Sequence, residues 1–464
     1  MSETGDRGNE TPPGGQQPGD GIFAALGRRK TGWVIAAASA AFVLLGGGAY
    51  AFGSALGGAA APGAPVATST AQPAAKTARP VPASPAAAEP VRTCSVQTLA
   101  DDPALGTLQA QVRDARTGTV LFDRDGDTPH AAASVMKIVT GAAALAALGP
   151  DFRLTTTVVA GSTPGSVVLV GGGDSTLTRL PDGIRSYYDG AAHLDDLASQ
   201  AVEAMGGTPI TAVYVDTSLY GGPAWQPTWN AHTERIVDGS SDPVTALQVD
   251  GGRANPQAQN STRTSDPVTQ AANAFITALD ARGANVPQVA DASTIEKTAP
   301  AAPATSAPTP APGGHEASKG GDGHDAGHGH GGGPMPGTVL ATVQSQPVSN
   351  LLGQALTDSD NTIMETLTRQ VALKEGTGNT FAAENAAVLK ALTKYGIATT
   401  GLHVADGSGL SVDNRVPPSY LTQLLAQIQA GKNGLGVIAQ ALPVAGQTGT
   451  LGPGYGRFTG RSAV

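Results

Sequence analysis

The chain has 464 residues, too many for a single ordinary core at about 150 residues per domain, and its 62 Gly, 34 Pro and 4% aromatics fall unevenly along it. Part of it is therefore low-complexity sequence that buries too little apolar surface to order itself, and the folded mass is well short of the full length. A net charge of −9 with no long basic run argues against nucleic acid as a partner, and the single cysteine, Cys94, excludes an intrachain disulfide framework and any cysteine-based metal site.

Residues 1–32 read as a polar, Gly/Pro-rich tail on the cytoplasmic side, ending in Arg28-Arg29-Lys30 and followed by an uncharged apolar stretch over residues 33–53. That stretch suits a membrane-spanning signal anchor, which takes about 20 residues. Basic residues before it and none just after place the remainder outside the cell membrane. A cleaved signal peptide, with Ala59-Ala60-Ala61 as its cut site, is the rival. Residues 54–90, almost all Ala, Pro, Gly, Thr and Ser, read as a semi-extended tether. Folding is expected to begin near Val91, with a hairpin turning at Thr117-Gly118.

The string Ala133-Ser134-Val135-Met136-Lys137 opens a helix-like run through Ile138, Val139, Ala142, Leu145 and Leu148 that stops at Gly149-Pro150. A spacing of three puts the Ser134 hydroxyl and the Lys137 amine side by side at the helix start. A lysine there, in apolar surroundings, is pushed toward its neutral form and can accept the serine proton. Ser-x-x-Lys alone is weak, because an N-capping serine and a solvated lysine give the same string. A second polar triplet, Ser359-Asp360-Asn361, opens another helical pattern with Ile363, Leu367 and Val371 four apart and Gly376 as terminator. Ser-x-x-Lys followed by Ser-Asp-Asn is the motif order of penicillin-binding proteins and class A β-lactamases.

Five further strings occur in order: His130 to Lys137, Leu148-Gly149-Pro150-Asp151-Phe152, Val170-Gly171-Gly172-Gly173-Asp174-Ser175-Thr176-Leu177, Asp406-Gly407-Ser408-Gly409-Leu410-Ser411, and Leu442-Pro443-Val444-Ala445-Gly446. Together they resemble the D-alanyl-D-alanine carboxypeptidase/endopeptidase family, the class C low-molecular-mass penicillin-binding proteins of peptidase family S13. The resemblance runs from about Val91 to Val464. More than two hundred residues separate Lys137 from Ser359, far more than a compact β-lactamase layout needs.

The resemblance implies an α/β fold. A β-lactamase/transpeptidase-like serine-enzyme domain, helices on an antiparallel sheet, would form from residues 91–160 and 337–464. Residues 161–297 would fold as inserted domains between the two motifs, and residues 298–336 would form a disordered Pro/Ala and Gly/His loop. Carried over by position, Ser134 is the nucleophile acylated by a peptidoglycan stem peptide or by a β-lactam, and Lys137 is its base. Ser359 relays a proton to the leaving amine, and Asn361 orients Lys137 and the substrate amide. Asp360 is read as structural, and the glycines of Gly171 to Asp174 and Asp406 to Leu410 as backbone requirements.

The family's third element, Lys-Thr-Gly on a strand lining the site, does not occur after Ser359-Asp360-Asn361; the one such string, Lys30-Thr31-Gly32, lies before the apolar stretch. Gln447-Thr448-Gly449-Thr450 is not taken as a degenerate copy, because Gly449-Thr450-Leu451 and Arg457 match a turn that precedes the strand. The expectation is a C-terminally incomplete chain. Alternative readings are a catalytically inactive wall-binding homologue and a β-lactam hydrolase. No cofactor is expected. His315, His324, His328 and His330 read as a solvated tract with adventitious metal affinity, and Tyr220, Trp225 and Trp229 as packing residues rather than sugar platforms.

Overall fold

A computed structural model describes residues 97–288 and 334–457. The tail, span and tether expected over residues 1–90, the Gly/His tract and Cys94 lie outside the described residues. Among the described residues, no helix is long and apolar enough to cross a membrane.

Two cores organise the described chain. The first is helical and is built on α1 (Met136–Ala147), α4 (Val348–Thr357), α5 (Asn361–Lys374), α6 (Phe381–Leu392), α7 (Pro418–Gln429) and α8 (Gly436–Ala441). Small residues make α1 its centre: Gly141, Ala142, Ala143 and Ala144 are buried, and a Cβ on Gly141 would already touch Leu352 of α4 at 3.3 Å. The chain enters α1 through a tight turn at Ala133–Val135 and leaves it at Gly149, whose φ of 85° ends the helix as its position before Pro150 predicts. In α5, Ile363, Leu367 and Val371 form the apolar stripe expected from their spacing, and all are buried. The opposite face is buried as well, so that Glu365, Thr366, Thr368 and Arg369 lie inside the protein. A helix polar on one face and buried on both needs partners for those groups, and the site described below supplies them.

A two-stranded ladder, β1 (Ala110–Arg113) with β2 (Val120–Arg124), sits against α7. It is antiparallel and turns where expected: Gly118, at φ 75°, donates its N–H to the Asp114 carbonyl, and Asp114 Oδ1 accepts the N–H groups of Arg116 and Thr117.

The second core lies under a four-stranded sheet in the order β5-β4-β3-β6, where β3 is Thr155–Ala160, β4 Ser166–Val170, β5 Ala212–Asp216 and β6 Val339–Gln344. β3 runs antiparallel to β4 and to β6, and β4 runs parallel to β5 across a connection that carries α2 (Leu194–Ala204). Alternate residues of β3 are buried, and Val158 belongs to the same core cluster as Leu197 and Ala201 of α2 and Phe275 and Ile276 of α3 (Pro267–Asp280).

This sheet departs from the division expected at residues 160 and 337. The β3–β4 hairpin crosses the first boundary, pairing Val158 with Leu169, and β6 pairs with β3 through Val158 and Ala341. The reason is burial: Leu340 and Ala341 cover α2 and join the second core, not the helical one. Among the described residues the helical lobe is therefore accompanied only by the β1–β2 ladder, and the larger sheet is mixed and belongs to the other lobe. The segment Gln447 to Thr450 is not a strand. Gly449–Leu451 forms a single 3-10 turn, and the Thr448 N–H returns to the Val444 carbonyl at 3.0 Å.

Candidate active site

All four side chains expected to act together meet where the N-terminal ends of α1 and α5 converge. Lys137 Nζ lies 3.1 Å from Ser134 Oγ and donates to Asn361 Oδ1 at 2.6 Å and to the Ser408 carbonyl at 2.8 Å. On its other side, Ser134 Oγ accepts from Ser359 Oγ at 3.1 Å. Ser134 is exposed and Ser359 partly so, while Lys137 is only 1% exposed. The Ser134 hydroxyl thus faces solvent and the Lys137 amine is sealed beneath it.

Helix starts do the positioning. Ser134 occupies the turn that feeds α1, one residue before Val135, its N-cap. Asp360 caps α5, its Oδ1 accepting the Ile363 N–H at 2.9 Å. Capping fixes Ser359 just outside that helix and Asn361 as its first residue. Both serine-bearing turns hold residues at positive φ, Ala133 at 46° and Ser359 at 58°. Such backbone costs about 1–3 kcal/mol at each position and persists only where neighbours over-determine it.

One such neighbour is the Asp406-to-Ser411 turn. Gly409 has φ 89°, and a Cβ there would collide with the Ala133 carbonyl. A Cβ on Gly407 would collide with Thr368 of α5. The two glycines let the turn press backbone to backbone between the nucleophile's turn and α5, which carries the Ser408 carbonyl to Lys137. Asp406 ties the turn together, accepting from the N–H groups of Gly409 and Ser411, from Asn414 Nδ2, and from Trp229 Nε1 at 2.7 Å. Trp229 in turn packs edge-on against Trp225 and Phe381, a packing role for both tryptophans. Among the glycines of the earlier Gly171 to Asp174 string, only Gly173 needs positive φ; the other two are required for space, against the backbone of Ala246 and of Thr155.

Several supporting groups are not evident from the motifs. Arg253, from the segment between α2 and α3, buries its guanidinium against Asp360 at 3.0 Å, over the rings of Tyr187 and Tyr188. The Ser240 carbonyl accepts from Asn361 Nδ2 at 3.2 Å, fixing which end of that amide meets Lys137. Glu365, one turn along α5 from Asn361, accepts the N–H groups of Gly407 at 3.0 Å and Ser408 at 2.7 Å.

Electrostatics follow from burial. Lys137 is brought down to about 8 by desolvation, against the pull of the Glu365, Asp360 and Asp406 carboxylates, which favour its charged form. Burial also disfavours ionisation of Asp360, but Arg253 and Arg263 outweigh it and hold that carboxyl below its ordinary range. The arrangement can therefore deprotonate a serine near neutral pH, with a second hydroxyl in reach of the same oxygen. Among the described residues no group of His, Cys, Asp or Glu is placed to hold a metal ion.

Comparison with known proteins shows the family. The model of the D-Ala-D-Ala carboxypeptidase 3 (S13) family matches residues 93–305 and 325–462. The chain belongs to this family. It is 35% identical over 356 residues to a carboxypeptidase of Mycolicibacterium smegmatis, covering 76% of this chain and 68% of that one. It is also 35% identical over 364 residues to a carboxypeptidase of Mycobacterium tuberculosis, covering 78% and 69%. Among solved structures, penicillin-binding protein 4 of Haemophilus influenzae superposes with a TM-score of 0.52 at 19% identity, over 76% of this chain and 80% of that one, a likeness of fold.

Proposed function

We propose that this family member is a serine-type D-Ala-D-Ala carboxypeptidase/endopeptidase that cleaves peptidoglycan stem peptides and is acylated by β-lactams. The observation that carries the reading is the placement of Ser134 Oγ between Lys137 Nζ and Ser359 Oγ, 3.1 Å from each. Neutral Lys137 takes the Ser134 proton as the oxygen attacks the carbonyl of the penultimate D-alanine. The positive end of α1 favours the developing oxyanion. Ser359 passes a proton to the leaving amine as the peptide bond breaks, leaving an ester on Ser134 that water then hydrolyses. Asn361 orients the amine throughout and presents its amide to the substrate. Residues 33–53 anchor the enzyme, with residues 54–90 as the tether that lets it reach the wall; this part of the proposal stands on the apolar run and its basic flank alone.

The test is labelling by a fluorescent penicillin, together with D-alanine release from a stem peptide ending in D-Ala-D-Ala. Both are expected for the wild type, and Ser134→Ala is expected to abolish both. Undiminished labelling of Ser134→Ala would sink the assignment.

A further inference from the structure

Glu365 takes no part in the acyl-transfer steps above, yet the site's support converges on it. It lies four residues from Asn361 on the same face of α5 and is fully buried. Its two carboxylate oxygens receive two consecutive backbone N–H groups, Gly407 to Oε2 at 3.0 Å and Ser408 to Oε1 at 2.7 Å. The carbonyl of that same Ser408 accepts from Lys137 Nζ at 2.8 Å. A single residue is thus held by its N–H on one side and offers its C=O to the amine on the other.

We propose that Glu365 is a positioning residue for Lys137: its carboxylate clamps the Gly407–Ser408 turn so that the Ser408 carbonyl meets the amine, and places a negative charge behind that carbonyl. The proposal rests on the reading of Ser134 and Lys137 as nucleophile and base.

The two N–H groups fall on separate carboxylate oxygens, and an amide in the same place would set its NH₂ donor against one of them. The other charged groups here are already committed. Asp360 is paired with Arg253, Asp406 receives four hydrogen bonds, and Glu384 of α6 faces Arg369 at 3.2 Å. Of the three carboxylates that favour the charged form of Lys137, Glu365 acts most strongly, ahead of Asp360 and Asp406. Burial, reinforced by Asp406, pushes Glu365 itself up to about 8, against the hydrogen bonds from Ser408 and Gly407. Glu384 and Arg369 also feel its charge, so they belong to the same titrating group.

The test follows Lys137 directly. The full chain carrying 13C at lysine Cε is titrated by NMR, with the Lys137 signal assigned by its loss in Lys137→Ala. Acylation by a fluorescent penicillin is measured over the same pH range. Because Glu365 itself ionises only near pH 8, its charge bears on the upper part of the Lys137 titration; Glu365→Gln is expected to lower the Lys137 midpoint by about half a pH unit and to shift the acylation profile with it. Glu365→Asp keeps the charge but draws the carboxylate back from the two N–H groups. It is expected to leave the midpoint near that of the wild type and to slow acylation about tenfold. An unmoved midpoint in Glu365→Gln, or wild-type acylation in Glu365→Asp, overturns the proposal. A midpoint that moves in a protein penicillin never labels leaves Glu365 in its role and overturns the functional reading instead.

Discussion

Arg253 and Asp360 form a buried ion pair at 3.0 Å, side chains 1% and 3% exposed, that fastens the segment between α2 and α3 to the cap of α5. Asp360 also holds the Ile363 N–H, so one carboxylate both starts the helix and receives the other lobe's cation. Ser359 and Asn361 flank it. The position of two candidate catalytic side chains is thereby made to depend on a residue far away in the chain.

Arg253→Met takes from the buried Asp360 its hydrogen-bonded cation and leaves only the charge of Arg263 to offset it. Removing one partner of a buried pair costs about 3–5 kcal/mol, whereas replacing both by apolar or neutral groups costs far less. Denaturant unfolding should show a loss of that order for Arg253→Met and a smaller one for Arg253→Met/Asp360→Asn. Equal losses would mean that the charge on Asp360 is not what the arginine offsets.

Ser359→Ala separates chemistry from stability. Ser359 is only partly buried and its hydroxyl bonds to Ser134 Oγ, so its removal should change the unfolding free energy by no more than about 0.5 kcal/mol. Loss of a proton relay should slow turnover of a D-Ala-D-Ala peptide by about 10²–10⁴-fold. Near-normal turnover would assign the proton transfer elsewhere.

The two motif pairs were legible because each is local. Ser134 and Lys137 sit three apart at one helix start, Ser359 and Asn361 straddle a capping aspartate at another, and both helices show apolar spacing. That the two starts meet follows from motif order and from nothing nearer in sequence. Arg253 was silent for the same reason: its partner lies 107 residues away, and an arginine among Gly, Asn and Gln reads as a solvated loop. A glutamate between Ile363 and Leu367 suits the solvent face of an amphipathic helix, and only the tertiary fold closes that face over Glu365. The same limit applies to β6: nothing within Val339–Gln344 says which lobe it joins.

Acylation should rise with pH through about 8. Desolvation lowers Lys137 from its ordinary 10.5 to about 8, and the neutral amine is the form that accepts the serine proton. Below that value the rate should fall about tenfold per pH unit, because the neutral fraction does so. Stopped-flow acylation by a chromogenic cephalosporin between pH 5.5 and 9.5 measures the limb. A midpoint near 10 would mean that Lys137 is not desolvated as its burial implies.

Gly409→Ala tests whether the turn beneath the nucleophile is shaped by its glycine. A side chain at φ 89° is strained wherever it stands, and this one would also collide with the Ala133 carbonyl, immediately before Ser134. The substitution should cost about 1–3 kcal/mol in unfolding free energy. It should also reduce penicillin acylation beyond what lost folded protein explains, because relief of the clash moves either the Ser408 carbonyl off Lys137 or the Ala133–Ser134 backbone. Ala substituted at Gly434, which has positive φ of 82° with open space around its Cβ, is the control. It carries the same backbone strain with no close contact to relieve and should lower stability without lowering acylation per folded molecule. Equal acylation by the two variants would show that the close approach of Gly409 to Ala133 does not govern the nucleophile.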